Sequence, residues 1–442
     1  MENPSAAVQP TAEPVTAVPA NVDRRVVAAG LVGSIVEYFD FGIYGYLATV
    51  LAVVFFASGS DPTAALLATL ATFAAAFALR PLGGLVFGHL GDRLGRKRML
   101  ATTVLAMCAA TFLVGVLPTY AAIGSAAAFL LVAARCVQGV AAGGEVGGAA
   151  SYVAEYAPPA RRGFLCSTVQ FGALGGALLA SAVVTTLTSV LTTQQMAAWG
   201  WRLPFLLSLP LGAVGIWIRL KLEDSRQFHD LAARGEVAKA PVRELFTDHR
   251  GPLVRTLGLS ILLFALYYVA YVYASIHLQR VGGFSSREAF WSTTVTLIVS
   301  CAAMPAFGAL SDRIGRRPVF LGATIATLVL TFPVFMVMNS GHYVPALLAQ
   351  VVLGLPESAL MAVAFSTFAE LFTTRVRYSG IALGFNLAST AVGGTAPYIC
   401  TWLVQRTGSS LAPAGFLVVT ALITLAAAVR LKETRATVLR AH

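Results

Sequence analysis

The chain has 442 residues, of which 57% are hydrophobic and only 12% charged, with a mean hydropathy of +0.76 and a formal net charge of +11. Soluble domains carry about 25% charged residues; a chain this long and this poor in charge cannot bury its apolar surface in one water-soluble core, so lipid must be its solvent. The positive charge does not indicate nucleic acid, because the basic residues lie between apolar runs and form no stripe with interleaved aromatics. The five cysteines all fall inside apolar runs, are odd in number and contain no CxxC pair, so neither a disulfide frame nor a metal or cofactor site is expected.

Residues 1–25 are rich in Pro, Ala and Val and lack a basic start followed by an apolar core. They read as a disordered cytoplasmic tail and not as a cleaved signal. A membrane helix needs about 20 apolar residues, and on that rule twelve spans follow. They run near 26–56, 64–90, 99–117, 123–156, 164–191 and 201–220, then 252–281, 288–310, 319–338, 345–371, 379–406 and 413–431. The stretch 222–250 is polar and carries both signs of charge. The expected organisation is therefore a six-helix bundle over 26–221, a cytoplasmic linker over 222–250, a second bundle over 251–431 and a cytoplasmic tail over 432–442. With the N-terminus inside, 25 of the 31 Lys and Arg residues fall on the cytoplasmic side, which obeys the positive-inside rule and places both termini there.

The two halves repeat one another. Gly88-His89-Leu90-Gly91-Asp92-Arg93-Leu94-Gly95-Arg96-Lys97 recurs 220 positions later as Gly308-Ala309-Leu310-Ser311-Asp312-Arg313-Ile314-Gly315-Arg316-Arg317. A second pair, Glu155 with Arg162 and Glu370 with Arg377, recurs at an offset of 215. Duplicated halves of membrane helices are a mark of secondary transporters. In the loop motif, the glycines permit a tight turn and close helix approach, and the carboxylate can pair with cations or face a helix N-terminus. Gly88, Asp92, Arg93, Gly95 and Arg96, with Asp312, Arg313, Gly315 and Arg316, are therefore expected to form a cytoplasmic latch. Glu155, Arg162, Glu370 and Arg377 belong to the same gate; a mere topology anchor is the competing reading.

Charge at the centre of a bilayer costs roughly 2.5–3.5 kcal/mol on insertion scales, so the charges that spans retain are candidate functional groups. In the first span Gly30, Gly33, Glu37, Asp40 and Tyr44 follow a 3-4-3-4 spacing and share one helix face. In the fourth, Arg135, Gln138, Ala142, Glu145, Ala149 and Tyr152 keep a similar rhythm. Glu37, Asp40 and Glu145 are the expected proton carriers. Arg135 is expected to reach Asp40 or a substrate carboxylate, with Tyr44 and Gln138 beside it. The seventh span offers aromatics instead, among them Tyr267 and Tyr271, suited to a polar solute or to cation–π contact with a quaternary ammonium. Glu357 is a lone acid in the tenth span, and Gln170 and Asn386 complete the candidate substrate-binding set.

The loop motif and its copy resemble those of the major facilitator superfamily. Gly33-Ser-Ile-Val-Glu37-Tyr-Phe-Asp40-Phe-Gly-Ile-Tyr44-Gly45, Arg80-Pro-Leu-Gly-Gly84, Gln138-Gly139 with Gly143-Gly144-Glu145, Val153-Ala-Glu-Tyr-Ala-Pro158, Arg161-Arg162-Gly163-Phe164 and Trp199-Gly-Trp-Arg-Leu-Pro-Phe205 narrow the resemblance to its metabolite:proton symporters. That branch holds permeases for proline and betaine, citrate, 2-oxoglutarate and shikimate. The resemblance implies an all-α membrane protein of twelve helices in two pseudo-symmetric bundles, working by alternating access in a bacterial inner membrane. It also implies protons and a small-molecule substrate as partners, with the monomer as the working unit. A carboxylate such as citrate, 2-oxoglutarate or shikimate is the expected solute, on the strength of Arg135. A proline/betaine-type osmolyte is the alternative, and the short basic tail departs from the long C-terminal extension of those members. A proton-exchange exporter and a non-transporting sensor are further alternatives. An enzyme is not expected: no nucleophile elbow, phosphate loop or metal-ligand spacing is present.

Overall fold

The computed structural model describes residues 24–56, 61–84, 86–87, 96–143, 153–155, 157–220, 245–435, 437 and 439. Among these the regular structure is helical throughout, and twelve long segments follow in chain order. The first six are α1 (Arg24–Tyr46, continuing through Ala48–Phe56), α2 (Pro62–Gly84), α3 (Arg96–Val116), α4 (Ser125–Gly143), α5 (Arg162–Val190) and α6 (Arg202–Leu206 with Ser208–Leu220). Then come α7 (Arg250–Arg280), α8 (Ser286–Ile314), α9 (Arg316–Met338), α10 (Tyr343–Leu371), α11 (Thr374–Ala388 through Ser389–Gly393 to Ala396–Thr407) and α12 (Ala412–Val429).

Eight of the twelve are long and apolar enough to cross a membrane unbroken, and α1 with its continuation, bent by 65°, makes a ninth. The other three fall short for local reasons. In α3 the described apolar stretch is Thr102–Val116. A break at Leu207 divides α6, and a turn at Gly394-Thr395, just after the π-helical turn Ser389–Gly393, divides α11. The starts of α2 and α8 carry their own caps. The Asp61 carboxylate accepts from Thr63 N at 2.8 Å ahead of α2, and Ser285 with Glu288 forms a capping box ahead of α8.

The two halves pack alike. In the first, α1 lies on α5 and α3 lies on α4 and α6; in the second, α7 lies on α11 and α9 lies on α10 and α12. The halves meet along α5 against α8 and along α2 against α11, which is again one contact used twice. Large apolar side chains such as Phe129, Val329, Val344 and Val419 stand on the outer surface, where lipid is their natural solvent. Helix α7 is different: 94% of its apolar window is buried, against 39–44% for α2, α4, α5, α8, α9 and α12. A helix that is apolar all round belongs inside, and α7 carries the tyrosines there.

Helices in lipid associate largely by close packing of small residues. At the α2–α4 crossing, a Cβ built on Gly139 would lie 2.7 Å from the Ala76 carbonyl carbon and 2.9 Å from its Cα, and one on Gly143 would lie 2.9 Å from Gly84 N. These obstacles are backbone and cannot swing aside. The crossing fixes Arg80 on α2 relative to Arg135 and Gln138 on α4. Gly139→Ala is therefore expected to cost about 1–3 kcal/mol by overpacking, read as a lower thermal unfolding midpoint of the purified protein; an unchanged midpoint contradicts this packing.

Candidate functional site

Two polar assemblies lie between the bundles. The first is central. Glu37, Asp40 and Tyr44 share the buried face of α1, as their spacing predicts. Glu37 forms a buried ion pair with Arg80, whose Nη1 reaches across to Ser389 Oγ on α11 at 3.1 Å. Arg80 also lies over the rings of Phe41 and Phe77, at 4.8 and 4.9 Å. Asp40 Oδ1 accepts from Thr111 Oγ1 and, at 3.0 Å, from Gln138 Nε2. Arg135 donates to Gln138 Oε1 at 2.9 Å, with its guanidinium 4.1 Å from the Tyr44 ring centroid and near Phe41 and Phe73.

Arg135 therefore does not form the expected direct pair with Asp40. Gln138, one turn along α4, intervenes and joins the two with its amide. Arg135 Nε and Nη2 and Asp40 Oδ2 make no hydrogen bond although buried. Such groups are costly to leave unmade, and they mark places where a ligand or a proton can act. Glu145, the third expected carrier, lies outside the described residues.

Across from this cluster stands the second-half wall. A π-helical turn over Tyr268–Tyr273 widens α7. Its Ala270 carbonyl accepts from Gln350 Nε2 at 2.9 Å, and Gln350 is itself held by Ser292 and Thr293. Tyr267 and Tyr268 face the first bundle. Tyr38 meets Tyr267 at 5.5 Å, and Tyr268 meets Phe73 and Phe77. Tyr271 donates to the Gly354 carbonyl at 3.0 Å. Glu357 is fully buried with neither carboxylate oxygen bonded. Asn386 on α11 and Gln170 on α5 are also buried, with Oδ1 and Nε2 unbonded respectively.

The second assembly lies at the end of the bundles that carries the second loop motif, the latch end. Here the Asp312 carboxylate crosses between bundles to cap α5, accepting from Gly163 N at 2.9 Å and Phe164 N at 2.8 Å. A negative group at a helix N-terminus meets both free N–H groups and the helix dipole. Arg316 holds Asp312 at 2.8 Å. A Cβ on Gly308 would lie 2.6 Å from Ser167 Oγ and 3.0 Å from the Gly163 carbonyl, so only glycine lets α5 and α8 meet this closely. The second repeat works reciprocally. Arg162 of the first half pairs with Glu370 of the second at 3.0 Å, and Arg377 of the second pairs with Glu155 of the first at 2.6 Å. Each arginine also turns its Nε to the carbonyl preceding its own half's glutamate, Ala154 for Arg162 and Ala369 for Arg377.

Of the expected gate residues, Asp312, Arg316, Glu155, Arg162, Glu370 and Arg377 are brought together here. Gly315, at φ +109, ends α8 in a conformation that L side chains rarely adopt. No hydrogen bond or ion pair within the described latch uses the Arg313 side chain. Gly88, Asp92, Arg93 and Gly95 lie outside the described residues, as does the side chain of Arg96. Sequence reasoning missed Glu433 and Thr434. Glu433 accepts from Arg316 N and Arg317 N, capping α9, and Thr434 donates to Glu370 at 2.6 Å. It also missed Thr111 and Ser389, and treated Arg80 only as part of a motif although a cation in mid-span already called for a carboxylate partner.

The fold and these two assemblies define a multi-pass membrane transporter. Residues 26–245 match the family described as sugar (and other) transporter, and residues 257–440 match the major facilitator superfamily. The proline/betaine transporter of Salmonella typhimurium is 36% identical over 93% of this chain and 84% of its own length. The glycine betaine/proline/ectoine/pipecolic acid transporter of Dickeya dadantii is 37% identical over 93% and 83%, and the ectoine/proline transporter of Corynebacterium glutamicum 34% over 92% and 83%. Among solved structures, a D-xylose-proton symporter superposes with a TM-score of 0.75 at 19% identity, covering 94% of this chain and 99% of that one. The chain belongs to the major facilitator superfamily, and the proline/betaine relatives fit its metabolite:proton symporter branch.

These relatives overturn the expected carboxylate solute. Citrate, 2-oxoglutarate and shikimate appear in none of their names, whereas proline, betaine and ectoine recur. A buried arginine alone does not select a solute of net negative charge: the other half of the protein buries an acid, Glu357, with neither oxygen bonded.

The latch makes a direct prediction. Cys166 is buried on α5, one turn beyond the Asp312 cap. Asp312→Asn removes a charge-assisted cap worth about 1–3 kcal/mol. It is expected to speed maleimide labelling of Cys166 on the order of ten-fold, read by peptide mass spectrometry; an unchanged rate contradicts a latch. The central pair makes another. Glu37→Gln removes the buried anion of the Arg80 ion pair and is expected to destabilise by about 3–5 kcal/mol, whereas Glu37→Asp keeps the charge and loses less. Equal unfolding midpoints for the two variants would contradict the pairing.

Proposed function

We propose that this chain takes up a zwitterionic osmolyte of the proline or betaine type together with protons, by alternating access. The observation that carries the reading is Arg135. It is a buried guanidinium held by Gln138 and Tyr44, with the N–H groups of Nε and Nη2 unbonded. Such a group suits the carboxylate of an amino acid or betaine. The names of the relatives point to the same solutes.

Asp40 is the proton carrier in this reading. Its Oδ1 is held by Thr111 and Gln138, and its Oδ2 is free to take a proton. Gln138 bonds Asp40 through its amide nitrogen and Arg135 through its oxygen, so a change of charge on Asp40 is felt at the anchor. Glu37 was an equal candidate by sequence. Its ion pair with Arg80, carried on to Ser389, gives it instead the part of a tie between the bundles. In this reading the ion pairs at the latch end keep it shut, and its opening exposes the centre. The Lys and Arg distribution supports the latch end facing the cytoplasm and both termini lying there. The setting is a bacterial inner membrane, with the monomer as the working unit, since each assembly is built within one chain.

The test uses the reconstituted protein. Vesicles with an imposed inward proton gradient are expected to accumulate radiolabelled glycine betaine or proline above equilibrium. Asp40→Asn is expected to lose accumulation while retaining exchange of labelled for unlabelled solute. Accumulation by the wild type without a proton gradient, or undiminished accumulation by Asp40→Asn, would contradict proton coupling through Asp40.

A further inference from the structure

The Glu357 region is the least explained part of the centre. A buried carboxyl group ordinarily gathers N–H or O–H donors or a cation. Glu357 has none: it is fully buried, and both oxygens are unbonded. The surrounding chemistry is aromatic. Tyr38 from α1 and Tyr271 from α7 lie within electrostatic reach of the Glu357 carboxylate. Tyr267 joins them edge-on, at 5.5 Å from Tyr38 and 5.3 Å from Tyr271. Tyr46 lies within reach of Tyr267 and Tyr271, with its own hydroxyl unbonded. The Tyr271 hydroxyl is turned to the Gly354 carbonyl and not to Glu357.

We infer that Glu357 and the tyrosines Tyr38, Tyr46, Tyr267 and Tyr271 form an aromatic cage with a carboxylate at its base, which takes the cationic head of the solute and favours an N-methylated ammonium. This rests on the reading of the solute as a zwitterion and assigns its positive end. The chemistry selects the ligand. A quaternary ammonium spreads its charge over methyl groups and donates no strong hydrogen bond. It therefore needs π-faces and a nearby anion, not positioned acceptors. Edge-to-face rings keep their faces from stacking on each other, which leaves them for such a ligand. A metal ion would need several oxygen, nitrogen or sulfur ligands, and no group of three or more His, Cys, Asp or Glu gathers among the described residues. Tyr38 belongs to the first bundle, whereas Tyr267, Tyr271 and Glu357 belong to the second. A cation in the cage touches both bundles and so favours the closed centre over either open form.

The test uses the full-length purified protein and tetramethylammonium, a quaternary ammonium with no carboxylate, against sodium at equal ionic strength. Tetramethylammonium is expected to raise the thermal unfolding midpoint of the wild type. Glu357→Gln is expected to bind it about ten-fold more weakly, Tyr38→Leu is expected to weaken it as well, and Tyr38→Phe, which keeps the ring, is expected to retain it. No response in the wild type, or an equal response in the Glu357→Gln and Tyr38→Leu variants, overturns the cage. If tetramethylammonium binds as expected but glycine betaine and proline are not accumulated, the cage stands and the proposed transport reaction fails. If both solutes accumulate and the Glu357→Gln and Tyr38→Leu variants respond to tetramethylammonium like the wild type, the reverse holds.

Discussion

Two arginine–carboxylate pairs, Arg162 with Glu370 and Arg377 with Glu155, exist only when the two bundles touch at the latch end. Each arginine is buried, so parting the bundles leaves a guanidinium without its anion until water replaces it. Breaking contacts of this kind is unfavourable but is compensated once the opened end is wet, which is the condition for two states of similar energy. The Asp312 cap on α5 adds a third crossing of the same kind, because a helix N-terminus of one bundle finds its anion on the other. Rigid bundles joined by a few strong, water-replaceable contacts can rock; bundles joined by a continuous apolar seam would not.

The centre obeys the same constraint with less water available. Arg80, Arg135, Glu37, Asp40 and Glu357 are all buried between the bundles and away from lipid, as the cost of charge in hydrocarbon requires. They are not equally satisfied. Glu37 is fully engaged with Arg80, Asp40 and Arg135 are half engaged through Gln138, and Glu357 is not engaged at all. That gradient separates the groups whose charge is met within the protein from those whose charge is not. The half-engaged cation, Arg135, and the unengaged anion, Glu357, come from opposite bundles, so a dipolar solute between them would draw the halves together.

Much of this was legible in the sequence for one physical reason: lipid tolerates few charges, so those present stand out. Glu37, Asp40 and Tyr44 on one face of α1, and the duplicated Glu155/Arg162 and Glu370/Arg377, were visible by spacing alone. The general possibility that the loop carboxylate faces a helix N-terminus was visible too, and the structure realises it at Asp312. What was not legible is which groups meet. Pairing between helices depends on tertiary position, so Arg80 with Glu37, Ser389 with Arg80, and Gln138 between Arg135 and Asp40 had no signal in spacing. The π-helical turns in α7 and α11 were also invisible, because one extra residue in a turn leaves an apolar pattern nearly unchanged. The solute was misread because Arg135, as an anion anchor, was given more weight than Glu357 and the tyrosines, which already suited a zwitterion.

The central claim is that ion pairs between the bundles hold the latch end shut. Spin labels at positions 161 and 250, both exposed at that end on opposite bundles, report its width directly. Glu370 accepts from Arg162, Arg316 and Thr434 together. Glu370→Gln is therefore predicted to shift the distance distribution from one short population toward a second, longer one. An identical distribution in the wild type and the variant would contradict the account.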